Sequence, residues 1–195
     1  MKRSTNYIVK VALLSTIAFI FMAYLEFPLP IFPAFLKFDI GDLPALIGGF
    51  ALGPAAGVLI TFLKNLFHFI FKPGNTGGVG NLSNFLVGAA FVLPASLMYI
   101  RNRTKRGAVY GLILGIISKV VVGCITNYYI ILPLYQHIIP IEQIIGMAAK
   151  ANTKIVDIKT YIIYAVVPFN FIQGLVISII TLAIYKKISP ILRNN

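Results

Sequence analysis

The chain has 195 residues, 58% of them hydrophobic and 11% charged, and a formal net charge of +12. Soluble domains carry about a quarter charged residues, so this composition, with a mean hydropathy of +0.89, excludes a water-soluble globule. It does not point to nucleic acid either, because the basic residues gather at short links between apolar segments, as membrane topology requires.

A bilayer-spanning helix needs about 20 mostly apolar residues, and the first candidate runs from Tyr7 to Leu25. Lys2, Arg3 and Lys10 ahead of it would suit a cleaved leader, but Met22-Ala23-Tyr24 is a poor small-x-small site. A retained helix is expected. Glu26–Gly41 then interleaves Pro28, Pro30 and Pro33 with Phe27, Phe32, Phe35 and Phe38. Prolines at that spacing forbid a regular helix, and the aromatics predict an ordered, apolar outer loop able to cover something. Asp42 is the expected N-cap of a second span, with Pro44 in its first turn. That span is apolar to Leu52, where Gly53-Pro54 breaks the run before a third span reaches Phe71. Asp42–Leu52 is too short to cross unaided, so a short, tilted helix followed by a longer one is expected.

Lys72–Gly78 reads as a flexible outer turn. Asn81–Ile100 forms the fourth span, Arg101–Arg106 a basic link, and Gly107 to Gln136 the fifth span, interrupted by Pro133. Residues 138–158 make a mixed connection with a short amphipathic helix around Ile141–Lys150, and Tyr161–Lys187 is the sixth span, with Pro168 as an internal break. With a cytoplasmic N-terminus, the basic clusters of Lys2, Arg3 and Lys10, of Arg101, Arg103, Lys105 and Arg106, and of Lys186, Lys187 and Arg193 all fall inside. The acidic residues Glu26, Asp39, Asp42, Glu142 and Asp157 fall outside. The positive-inside rule therefore predicts one all-α domain over residues 1–195, with six transmembrane helices and both termini cytoplasmic, in the cell membrane.

Two lysines are left inside the bilayer. Lys64 and Lys119 both lie near mid-depth at 1.5 Å per residue, and no acidic residue falls within a predicted span, so neither has an expected carboxylate partner. Each either snorkels or orders a polar cavity. Lys64 is the better pocket candidate, and Lys119 reads as structural. Polar amides are the second signal. Asn127 sits in Thr126-Asn127-Tyr128-Tyr129, and Asn170 and Gln173 are three residues apart just after Pro168, so those two share a helix face. They suit a neutral heterocycle with alternating carbonyls and ring nitrogens, or act as interhelical glue in a scaffold protein.

No nucleophile is placed with a histidine or carboxylate in a span, so no catalytic residues and no enzyme are expected. No GxxxxGK[ST] loop occurs, so ATP chemistry would have to come from elsewhere. Cys124 is the sole cysteine, and His68 and His137 form no HExxH pattern, so no metal or cofactor is expected. In the first span, Ala12-x-x-x-Thr16 is a small-xxx-small pattern that permits close helix approach.

The run Phe38-Asp39-Ile40-Gly41-Asp42-Leu43-Pro44-Ala45-Leu46-Ile47-Gly48-Gly49-Phe50 resembles the substrate-binding S components of energy-coupling factor (ECF) vitamin transporters. So do the six spans and the aromatic first loop. Pro168-Phe169-Asn170-Phe171-Ile172-Gln173-Gly174 and Asn127-Tyr128-Tyr129 are similar to the sixth- and fifth-helix motifs of the riboflavin-specific RibU family within that group. The resemblance implies capture of riboflavin, or of a related flavin or vitamin, from outside. Asn127, Asn170 and Gln173 would contact it, with Gln173 standing where many members carry lysine. Lys64 would join them, and a lid would bring Phe35, Leu36, Phe38 and Asp39. It further implies docking, through Ala12 and Thr16 in place of an Ala-xxx-Ala motif, onto a transmembrane coupling subunit that works with two ATP-binding subunits.

Overall fold

The computed structural model describes residues 5–74 and 77–193, with side chains to residue 188. Lys2, Arg3, Asn75, Thr76 and the Arg193 side chain, all used in the sequence argument, lie outside the described residues. Helices α1 (Thr5–Tyr24), α2 (Asp42–Leu52), α3 (Pro54–Phe71) and α4 (Val79–Arg101) are followed by α5 (Lys105–Gln136), α6 (Ile141–Ala151) and α7 (residues 158–193). Five of these, α1, α3, α4, α5 and α7, are long and apolar enough to cross a membrane, and α2 is a shorter apolar helix. The chain is an all-helical, multi-pass membrane protein.

Helix α2 is the axis of the bundle. Every residue from Gly41 to Phe50 is buried, against α1, α3, α4 and α7. A helix buried all round is a core helix rather than a lipid-facing one. Its 11 residues suffice because the segment before it dips into the bundle. A Cβ on Gly41 would sit 2.9 Å from the carbonyl oxygen of Ala18, which lies about 9 Å below the end of α1 at 1.5 Å per residue. Two expectations for Asp42 are thereby corrected. The N-cap position belongs to Gly41, no side chain caps the helix, and Asp42 is buried rather than placed on an outer loop.

Between α1 and α2 the chain folds over one end of the bundle. Strands β1 (Phe27–Pro28) and β2 (Lys37–Phe38) pair antiparallel, with Phe27 opposite Phe38. Phe32 packs edge-on against Phe169 of α7, with ring centroids 5.4 Å apart, and Phe35 lies 6.1 Å from Tyr161. Glu26 fixes the root of this segment. Its Oε1 accepts from Lys72 at 2.8 Å and from Lys37 at 2.9 Å, and Lys72 also donates to the carbonyl of Ala23 at the end of α1. The ends of α1 and α3 therefore lie together under the covering segment.

Pro133 and Pro168 interrupt the α-helical winding of α5 and α7 without ending either helix. Each lacks the N–H that an α-helix would send to the carbonyl four residues back, and that carbonyl belongs to Tyr129 or Tyr164. Both fall in stretches of π-helix, Asn127–Ile131 and Ile162–Val166, whose wider turn accommodates the missing donor. The two π stretches adjoin each other. Between α2 and α4, close approach depends on Gly88, where a Cβ would lie 2.9 Å from both Asp42 Oδ1 and Thr61 Cγ2.

Gly88→Ala should therefore lower stability by about 1–3 kcal/mol through overpacking. Gly146→Ala on α6, where an added Cβ meets nothing within 4 Å, should raise it by up to about 1 kcal/mol through helix propensity. Thermal melts in detergent micelles measure both. Acid should loosen the covering segment. Burial pushes the Glu26 carboxyl up, but the hydrogen bonds and charges of Lys72 and Lys37 outweigh it and hold the group below the usual carboxylate range. A depressed folded value means that this stabilisation is present at neutral pH and is lost as pH falls below about 4.5 through the folded value. Glu26→Gln should flatten that part of the melting-temperature profile.

Candidate functional site

The cavity that the covering segment borders through Phe35, Leu36 and Lys37 is bounded by the first turns of α4, the π-wound part of α5, the start of α7 and one face of α6. About 180 Å³ of it is reachable by the centre of a water molecule, many times what one bound water needs. Its walls are apolar and flat, from Leu36, Phe35, Tyr161 and Phe169, with Met147 and Ile144 from α6. Such walls with a few convergent polar groups are the usual make-up of a small-molecule site.

The amides that the sequence singled out meet here. Asn127, Asn170 and Gln173 all line the cavity and all are more than nine-tenths buried. Asn127 Nδ2 donates to the carbonyl of Gly123 and Asn170 Nδ2 to that of Val166, both at 2.8 Å and both one turn back on their own helix. Each side chain is thus held with its Oδ1 free to accept. Gln173 differs. Its Nε2 donates to the Asp39 carbonyl at 3.1 Å and the Asp39 carboxylate at 3.3 Å, so both of its protons go to the base of the covering segment and Oε1 remains for the cavity.

The other predicted contacts divide. Phe35 and Leu36 line the cavity. Phe38 and Asp39 are buried but stand outside its wall. Phe38 packs on Phe27 at 5.6 Å, and Asp39 Oδ1 takes the Gly41 N–H at 2.7 Å. Both shape the segment that covers the site. Ala12 and Thr16 are exposed on the far side of α1, where Thr16 Oγ1 donates to the Ala12 carbonyl at 3.0 Å.

The two stranded lysines turn out to share a carboxylate, which corrects the expectation that neither would find one. Lys64 Nζ lies 2.7 Å from Asp42 Oδ1, and Lys119 Nζ lies 2.9 Å from Asp42 Oδ2. Lys64 has a second acceptor, Asn84 Oδ1 at 2.9 Å. Of the two, Lys119 forms part of the cavity wall and Lys64 stands behind Asn84. Asn84 and Lys119 were missed as site residues from sequence. For Asn84 a signal existed, since Asn81 and Asn84 repeat on α4 the three-residue amide spacing of Asn170 and Gln173.

Neutralising Asp42 should be severe. Asp42→Asn removes the carboxylate that both buried ammonium groups touch and should cost about 3–5 kcal/mol, measurable by unfolding in detergent.

Residues 6–185 match the family described as ECF transporter, substrate-specific component. The riboflavin transporter RibU of Staphylococcus aureus (strain TCH60) is 35% identical over 186 residues, covering 95% of this chain and 92% of the relative. The riboflavin transporter FmnP of Bacillus subtilis (strain 168) is 33% identical over 184 residues, covering 94% and 92%. A solved structure, described as the S component of a bacterial ECF transporter, aligns with a TM-score of 0.75 at 31% identity, covering 98% of this chain and 100% of that one.

Proposed function

The chain belongs to the substrate-specific S components of ECF transporters, and from that premise we propose that it captures riboflavin at the outer face of the cell membrane. The S component is a substrate-binding transport protein, not an enzyme, and it pairs with an energy-coupling module. The observation that carries the riboflavin reading is the cavity itself. Aromatic and aliphatic walls suit a flat ring system, and the oxygens of Asn127, Asn170 and Gln173 are left to accept from donors such as an imide N–H and polyol hydroxyls. The names of the relatives agree with that chemistry.

In this reading the cavity end faces outward. The basic residues Arg101, Arg103, Lys105, Arg106, Lys186 and Lys187 then occupy the opposite, cytoplasmic end. The segment between α1 and α2 acts as the lid, latched to α7 through Gln173 and Asp39. Coupling uses α1. With its hydroxyl bonded to its own helix, Thr16 adds only small bulk to the Ala12 face, so a transmembrane coupling subunit can approach closely there and transmit the work of two ATP-binding subunits.

Purified protein should quench added riboflavin fluorescence. Asn127→Ala and Asn170→Ala should each weaken binding by about tenfold, the loss of one hydrogen bond, while the fold survives. A wild-type protein that leaves riboflavin fluorescence unchanged would falsify the reading. Variants that unfold without changing the affinity of the folded fraction would return the amides to interhelical glue.

A further inference from the structure

We propose that Lys119, and not Lys64, gives a charged hydrogen bond to an acceptor atom of the bound vitamin, a carbonyl oxygen or ring nitrogen, and so determines specificity; this rests on the riboflavin reading above. The two lysines are near-twins in their setting. Both side chains are almost fully buried, and each ends on one oxygen of Asp42. They differ in what is left over. An ammonium carries three donors. Lys64 places two of them, on Asp42 and Asn84, and does not reach the cavity. Lys119 has Asp42 as its acceptor and otherwise lies over the ring of Phe91, 5.2 Å from the centroid, and the residue lines the cavity.

A donor left over on a buried ammonium is costly away from water, and a ligand acceptor in the cavity relieves that cost. Charge points the same way. Of the two ammonium groups on Asp42, only that of Lys119 belongs to a residue of the cavity lining, so it is the Lys119 charge that borders the site. An electron-rich ligand edge is the matching chemistry. The amide oxygens of Asn127, Asn170 and Gln173 would then take the ligand's donors, while Lys119 takes its acceptor edge.

The test compares Lys119→Met with Lys64→Met. Each leaves Asp42 with one lysine and removes one positive charge, so a merely structural role for both predicts equal effects, checked by melting temperature. Lys119→Met should weaken riboflavin binding, read by fluorescence quenching, by about 10- to 100-fold, as for a hydrogen bond from a charged group. Lys64→Met should stay within about threefold. The midpoint potential of bound flavin supplies a second readout. A cation at the ring favours the reduced, electron-rich form, so the potential should fall in Lys119→Met and hold in Lys64→Met. Equal affinity losses in the two variants, or an unchanged potential in Lys119→Met, overturn the inference. If Lys119→Met does not fold, Lys119→Gln, which keeps a donor and loses the charge, carries the same comparison. Wild-type protein that does not bind riboflavin overturns the reading beneath the inference and the inference with it. Wild-type protein that binds while Lys119→Met matches it overturns the inference alone.

Discussion

A single carboxylate holds two ammonium groups in the middle of this bundle, and most of the architecture follows from the need to keep those three charges together. In a bilayer an unpaired charge has no water to fall back on, so Asp42, Lys64 and Lys119 can be buried only as a set. Asp42 sits at the head of α2, Lys64 on α3 and Lys119 on α5, so the cluster fixes the depth of three helices relative to one another. Asn84 brings in α4 through Lys64. Gly88 leaves the space in which the carboxylate fits. The short α2 is a consequence as well: to place its first residue at the lysines, the chain must enter the bundle before the helix begins, which shortens the helix and carries the covering segment across the cavity mouth.

The cavity is shaped by a second constraint, backbone geometry. Pro133 and Pro168 force π-wound stretches into two neighbouring helices, and the site amides cluster around those stretches. Asn127 begins one of them, and Asn170 bonds back to Val166, the last residue of the other. Gly123 lets the two helices close, since a Cβ there would lie 3.0 Å from Asn170 Nδ2. Helix irregularities that would weaken a purely structural bundle are here the means by which polar side chains are aimed into an apolar space.

How far the sequence reached follows from this division. Spans, basic links and the amphipathic α6 were legible because they depend on local hydropathy and charge, and the amides on α7 were legible because three-residue spacing is a local helical rule. The partner of the lysines was not. Reading Asp42 as an N-cap on the outer side assumed that a helix begins at the membrane surface, whereas the depth at which α2 begins is set by packing of Gly41 against α1, 23 positions earlier in the chain at Ala18. Depth ranks Lys64 above Lys119, yet both end on the same carboxylate, and it is Lys119 that lines the cavity. Depth comes from counting along a helix, but which side of the helix faces a cavity comes from its neighbours.

Gln173 links the two constraints. Lysine, the residue the family resemblance leads one to expect at this position, would pair directly with Asp39 and add a third positive charge beside Lys64 and Lys119. The amide satisfies Asp39 with neutral donors instead. Asp39 and Asp42 then balance Lys64 and Lys119, two negative charges against two positive, and the interior at this level is electroneutral without help from a ligand. Charge balance lowers the cost of holding the set away from water, and it leaves the orientation of the lid to a hydrogen bond. A bond between neutral and charged partners is easier to exchange than a buried ion pair. For the lid role proposed above, in which the segment opens and closes over a ligand, such a bond is a better latch than a salt bridge.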